Sequence, residues 1–271
     1  MDTNVLIAFG LTLLAGLSTG IGSILAFFAK RTNTRFLSFA LGFSAGVMVY
    51  VSMADILPHA QKILQAAHGE QRGSWISILS FFAGIFVVLL IDRLVPYYEN
   101  PHELHCVEEA YETEVETGHR SALMRLGLLS AIAVTVHNFP EGIAAFMASV
   151  HDPRLGLPIA LAIAIHNIPE GIAISVPIYC ATGDRFKAFR FSFFSGLAEP
   201  LGALLAYLVL MPFLNDTVFG VTFAAVAGIM IFISVDQLLP SAQKYGEHHI
   251  SAYGFIAGMM VMAVSLLLFI Q

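Results

Sequence analysis

Charge is what this sequence has least of. Asp, Glu, Lys and Arg make up 12% of its 271 residues, about half the share of a soluble globular domain. Hydrophobic residues reach 57% and mean hydropathy is +0.78. Too few polar side chains remain to cover a water-facing surface, which excludes a soluble enzyme and a disordered chain. Cysteine is nearly absent: Cys106 and Cys180 cannot build a disulfide framework. A basic excess is missing too, since the formal net charge is −6, the wrong sign for a nucleic-acid binder. What this composition fits is an all-α polytopic membrane protein.

A bilayer-crossing helix needs about 20 mostly apolar residues. Eight such runs are present, at 4–29, 35–57, 74–95, 121–149, 154–180, 186–210, 217–240 and 250–270. They are numbered spans 1 to 8 and form a single transmembrane domain over 1–271. Asp2 and the absence of Lys or Arg before span 1 fit a membrane span rather than a cleaved leader. Basic residues cluster in the odd-numbered connections: Lys30, Arg31 and Arg35; Arg93, Arg120 and Arg125; Arg185, Lys187 and Arg190; and Lys244. Even-numbered connections hold only Lys62, Arg72 and Arg154. The positive-inside rule therefore puts the odd connections in the cytoplasm and both termini outside.

The chain repeats itself. Residues 45–62, AGVMVYVSMADILPHAQK, align without gaps to 227–244, AGIMIFISVDQLLPSAQK. Residues 16–27 align to 196–207, and 133–144, AVTVHNFPEGIA, to 162–173, AIAIHNIPEGIA. Span 1 thus matches span 6, span 2 matches span 7, and span 4 matches span 5; FFAG (81–84) and FIAG (255–258) link spans 3 and 8 more weakly. Each pair has one odd and one even member, so its helices cross in opposite senses. The expected architecture is a 3+2+3 inverted-repeat bundle, a pattern that gives transporters alternating access to a midplane site.

Five ionisable residues lie near the middle of their spans: His137, Glu141, His166, Glu170 and Glu199. Each costs roughly 2.5–3.5 kcal/mol at such a depth on insertion scales. His137 and Glu141 are four apart and share a helix face, with Asn138 on the adjacent stripe. His166, Asn167 and Glu170 repeat the arrangement. Pro140 and Pro169 each free a carbonyl four residues back, and irregular backbone at this depth suits a cavity or an ion site. Gly142 and Gly171 permit close helix approach. Three buried carboxylates need cations or protons, so one or two divalent metals fit. Imidazole with carboxylate and amide oxygen suits Zn2+, Fe2+, Mn2+ or Co2+, and the lack of thiolate argues against Cu(I).

HNFPEG at 137–142, HNIPEG at 166–171 and Glu199 within GLAEPLG resemble the ZIP (Zrt-, Irt-like) divalent metal transporters, most closely the bacterial zinc-importing branch. The likeness covers nearly the whole chain. It implies eight helices, both termini outside a bacterial inner membrane, and metal moved into the cytoplasm without ATP. It also implies a two-metal site. Glu141, His166 and Glu170 would hold one metal, usually taken as zinc, with His137 beside them. Asn138, Glu141, Asn167, Glu170 and Glu199 would hold the second, often taken as iron, with Glu141 and Glu170 bridging. Met48 in AGVMVY would lie near the first metal, although a lipid-facing or core position fits its residue type equally. On this reading the protein is not an enzyme and needs no prosthetic group. Zn2+, Fe2+ and related divalents (manganese, cobalt, cadmium) are its substrates, and the bilayer is its partner. A homodimer is the candidate assembly. A metal-selective channel with the same ligands, and a membrane di-metal enzyme, are the alternatives.

Other candidates lie nearer the surfaces. The connection between spans 3 and 4, residues 96–120, carries His102, His105, Cys106 and His119 among seven glutamates, which suits metal collection or sensing. HELHC is not HExxH, so no zinc-protease helix is present. Asp55 and Asp236, offset by one position in the repeat, stand near opposite ends of their spans, where carboxylates would draw cations to the two mouths. His68 and His151 read as outer-surface histidines, His248 and His249 as interfacial ones, and Cys180 as a buried small residue.

Overall fold

The computed structural model describes residues 3–28, 34–94, 117–245 and 248–269. Every regular element among them is helical. Span 1 is Thr3–Phe28, span 3 Glu70–Leu94, span 4 Thr117–His151, span 5 Pro153–Thr182 and span 8 His248–Phe269. Spans 2, 6 and 7 are built from shorter helices joined end to end. Seven helices among the described residues are long and apolar enough to cross a membrane. Span 4, at 35 residues and about 50 Å by helical rise, has the length but carries His137, Asn138 and Glu141 in its interior. The chain is a multi-pass membrane protein, as its composition predicts.

Span 2 overruns its expected end at 57. Thr34–Val51 passes through one wide π turn, Ser52–Ile56, into Leu57–His68. Gly69, at φ +84°, then reverses the chain within a single residue, and span 3 starts at Glu70 rather than 74. Span 7 repeats the device, with Asp216–Ile233, the π turn Ser234–Leu238 and Leu239–Tyr245. Pro58 and Pro240 follow these wide turns. The backbone is already off its regular i→i−4 ladder there, so a missing proline donor does little harm.

The packing obeys the repeat. Span 1 lies along span 5 as span 6 lies along span 4, and span 2 lies along span 8 as span 7 lies along span 3; spans 4 and 5 pack on each other. Glycines make these seams by letting backbone meet backbone. A Cβ on Gly46 would strike the carbonyl of Phe255, and one on Gly228 the carbonyl of Phe81. Gly16 and Gly196, which correspond to each other, are each set against the other's carbonyl. That reciprocal contact marks the pseudo-two-fold axis. Phe146, Phe219 and Phe223 fill the core. Spans 3 and 8 turn Leu79, Phe86, Leu90, Met260, Val264 and Leu267 outward, an apolar face suited to hydrocarbon.

Candidate metal centre

The two HNxPEG segments meet where spans 4 and 5 cross. His166 Nε2 lies 3.1 Å from Glu141 Oε2, and His137 Nε2 lies 3.2 Å from Glu170 Oε2. Each histidine therefore reaches across to the glutamate of the opposite repeat, so the i, i+4 face of one helix is completed by the other. All four side chains are buried, as are Asn138, Asn167 and Glu199.

Span 6 supplies the third carboxylate through a break in its helix. Arg185–Gly196 ends at Leu197 and Ala198–Leu205 begins, which puts Glu199 in the first turn of the new segment. Its carboxylate accepts a hydrogen bond from Asn167 Nδ2 and stands within electrostatic reach of Glu141 and Glu170. Asn167 also donates to the Ala15 carbonyl at 3.0 Å, and Asn138 to that of Ser195 at 3.4 Å. Gly142 lies on the Glu199 carbonyl and Gly171 on that of Thr19, so the expected close approach is found at both seams.

Each of the seven motif residues retains at least one buried polar atom with no hydrogen-bond partner among the described residues. Such atoms are unfavourable unless a ligand, ion or water meets them. Three buried carboxylates face two imidazoles, so the cluster is short of positive charge whenever the histidines are neutral. Among the described residues, no group of three or more His, Cys, Asp or Glu is already gathered as a metal cage. The seven donors stand as two His–Glu pairs, an Asn–Glu pair, and Asn138 on the Ser195 carbonyl.

Of the accessory candidates, Met48 is fully buried rather than lipid-facing. It lies one helical turn beyond Ser44, whose hydroxyl donates to the His166 carbonyl at 3.5 Å. Asp55 is half-buried within its π turn, with Oδ2 unpartnered, and Asp236 is exposed within its own. His102, His105 and Cys106 lie outside the described residues, and His119 falls in the first turn of span 4. Cys180 is half-buried rather than buried. His68 and His151 are exposed, as read from sequence; the first contacts Thr217 Oγ1 at 2.8 Å and the second stacks on Phe219. Thr19, whose carbonyl backs Gly171, has no place in the motif reading. Its signal is the alignment of 16–27 with 196–207, which sets it opposite Glu199.

A family model described as ZIP Zinc transporter matches residues 3–266. A protein named zinc transporter ZupT from Oceanobacillus iheyensis is 61% identical over 265 residues, covering 98% of each chain. Proteins of the same name from Lysinibacillus sphaericus and Streptococcus mutans are 59% and 57% identical, with both chains covered in full.

Proposed function

From the premise that the chain belongs to the ZIP zinc transporter family, we propose that it is a secondary transporter importing zinc, with iron and related divalents as further substrates. The cargo passes a midplane site between spans 4, 5 and 6. The observation that carries this is the crossed pairing of His166 with Glu141 and of His137 with Glu170. It joins borderline-soft nitrogen to hard oxygen in a buried cluster short of positive charge, a donor set that suits zinc and iron. Glu141, His166 and Glu170, with His137, hold one cation. Asn138, Asn167 and Glu199 complete a second place that shares both bridging glutamates. Met48 borders the first. The termini lie outside, and the 96–120 connection is cytoplasmic.

Uptake by purified protein in liposomes, across a panel of divalent metals with internal pH recorded, tests the reading. Zinc uptake should saturate and be stimulated by zinc on the far side. No metal flux would overturn the proposal, and flux without trans-stimulation would favour a channel. In the same assay His166→Asp should weaken zinc uptake and shift preference toward Mn2+ or Cd2+, because a hard oxygen replaces nitrogen. An unchanged competition profile would remove His166 from the ligands.

Asp55 and Asp236 guard the outer and inner mouths. Asp55→Asn is expected to raise the apparent KM from outside, and Asp236→Asn to slow release inward. Both effects should shrink at high salt, because exposed charges are screened over about 8 Å at physiological ionic strength. Parent-like kinetics at limiting zinc in both variants would place the mouths elsewhere.

A further inference from the structure

Around the buried donors the two halves correspond in several backbone contacts, and they part at one position that bears a carboxylate in only one half. Under the alignment of 16–27 with 196–207, Thr19 stands where the other half has Glu199. Their main chains play the same part, since Gly171 packs on the Thr19 carbonyl and Gly142 on that of Glu199. The flanking asparagines also correspond. Asn167 donates to Ala15 and Asn138 to Ser195, and residues 15 and 195 are themselves one step before the aligned segments. The side chains then diverge. Asn167 donates to the Glu199 carboxylate, whereas Thr19 Oγ1 is buried with no hydrogen-bond partner among the described residues; the Oδ1 atoms of Asn138 and Asn167 are alike in lacking one. The Thr19 side chain lies over Gly196, so close that an added Cβ there would sit 3.0 Å from Thr19 Oγ1. That position is three residues before Glu199 on the same span. The backbones differ as well: span 1 runs unbroken through Thr19, while span 6 breaks at Leu197.

We propose that Thr19 is a cargo-contacting residue, a neutral oxygen donor whose lack of charge sets how long the buried site holds its cation. The inference rests on the transport reading above. A buried hydroxyl oxygen left without a partner is unfavourable, and a divalent cation or its bound water is a partner that would satisfy Thr19 Oγ1. Strict symmetry would place a fourth carboxylate here. Four negative charges in a water-poor cluster would bind a divalent ion tightly and release it slowly, whereas conduction needs binding weak enough to leave. Threonine keeps an oxygen at the place and omits the charge.

Zinc uptake in liposomes by the parent, Thr19→Val, Thr19→Ser and Thr19→Glu tests this, with Glu141→Ala as the inactive control. Thr19→Val keeps the side-chain shape and puts a methyl in place of the hydroxyl. It should raise the apparent KM for zinc about tenfold, a loss of about 1.4 kcal/mol, with a metal-free thermal midpoint no lower than the parent's. Thr19→Ser should restore the parent value. Thr19→Glu should lower both KM and maximal rate, the mark of a site that holds its cargo too long. Parent kinetics in Thr19→Val overturn the inference, as does a Thr19→Ser variant no better than Thr19→Val. If Thr19→Glu fails to insert, the valine and serine pair still decides. A parent without zinc uptake overturns the transport reading itself and this inference with it, whereas a fully active Glu141→Ala leaves transport standing and removes the buried site on which this inference rests.

Discussion

Glu141→Ala is expected to abolish zinc uptake, by at least about a hundredfold, which corresponds to roughly 2.8 kcal/mol. Two losses combine. The variant removes one of the two carboxylates proposed above to bridge both cation positions, and it strips His166 of its 3.1 Å partner in a buried setting. Breaking one member of a buried charged pair is costly because the survivor is left without compensation. Glu170→Ala should match it, since Glu170 stands 3.2 Å from His137 in the symmetric place. Asn138→Ala and Asn167→Ala should be milder, because a neutral donor is lost and the bridge survives. Uptake measured at matched membrane expression is the check, and near-normal transport by Glu141→Ala would refute the bridging role.

Gly142→Val is expected to fail one step earlier, in folding. The new Cβ would drive into the carbonyl, carbon and Cα of Glu199, all of them main-chain atoms. A flexible side chain could swing aside, but two packed helices cannot. Overpacking of this kind costs about 1–3 kcal/mol, occasionally more, and here it would also push Glu199 away from Asn167. The thermal midpoint in detergent should fall and zinc uptake should vanish. Gly171→Val, against the Thr19 carbonyl, should behave alike. Gly10→Val is the control, because nothing lies within 4 Å of a Cβ at that glycine. A Gly142→Val protein as stable as the parent would show that the seam between spans 4 and 6 can open.

Much of this is legible in the sequence itself. Intramembrane His137, Glu141, His166, Glu170 and Glu199 stand out because charge is so scarce elsewhere, and the doubled HNxPEG ties them to matching helices. The pairing of spans 1 with 6 and 2 with 7 follows from aligned segments, and the helix contacts repeat under that exchange. Three things were not legible. Spans 2 and 7 run past their expected ends at 57 and 240, because wide turns before Pro58 and Pro240 carry both helices onward, and no residue pattern announces a π turn. Met48 on an apolar helix gives no sign of which way it faces until its neighbours are placed. The crossed pairing of each histidine with the other helix's glutamate depends on how spans 4 and 5 cross, whereas spacing along one helix reports only its own face.

The mutual contact of Gly16 and Gly196 has a mechanical side. Gly16 sits at the midpoint of Thr3–Phe28, a rod about 39 Å long. A contact of bare backbone at the centre of a rod is a fulcrum with arms of equal length. A tilt of about 10° around it would carry the two ends roughly 3 Å each, in opposite directions, at the helical rise of about 1.5 Å per residue. The fulcrum itself would barely shift. In the transport cycle proposed above, opening one mouth and narrowing the other would then be the same movement, and the halfway posture would favour neither side.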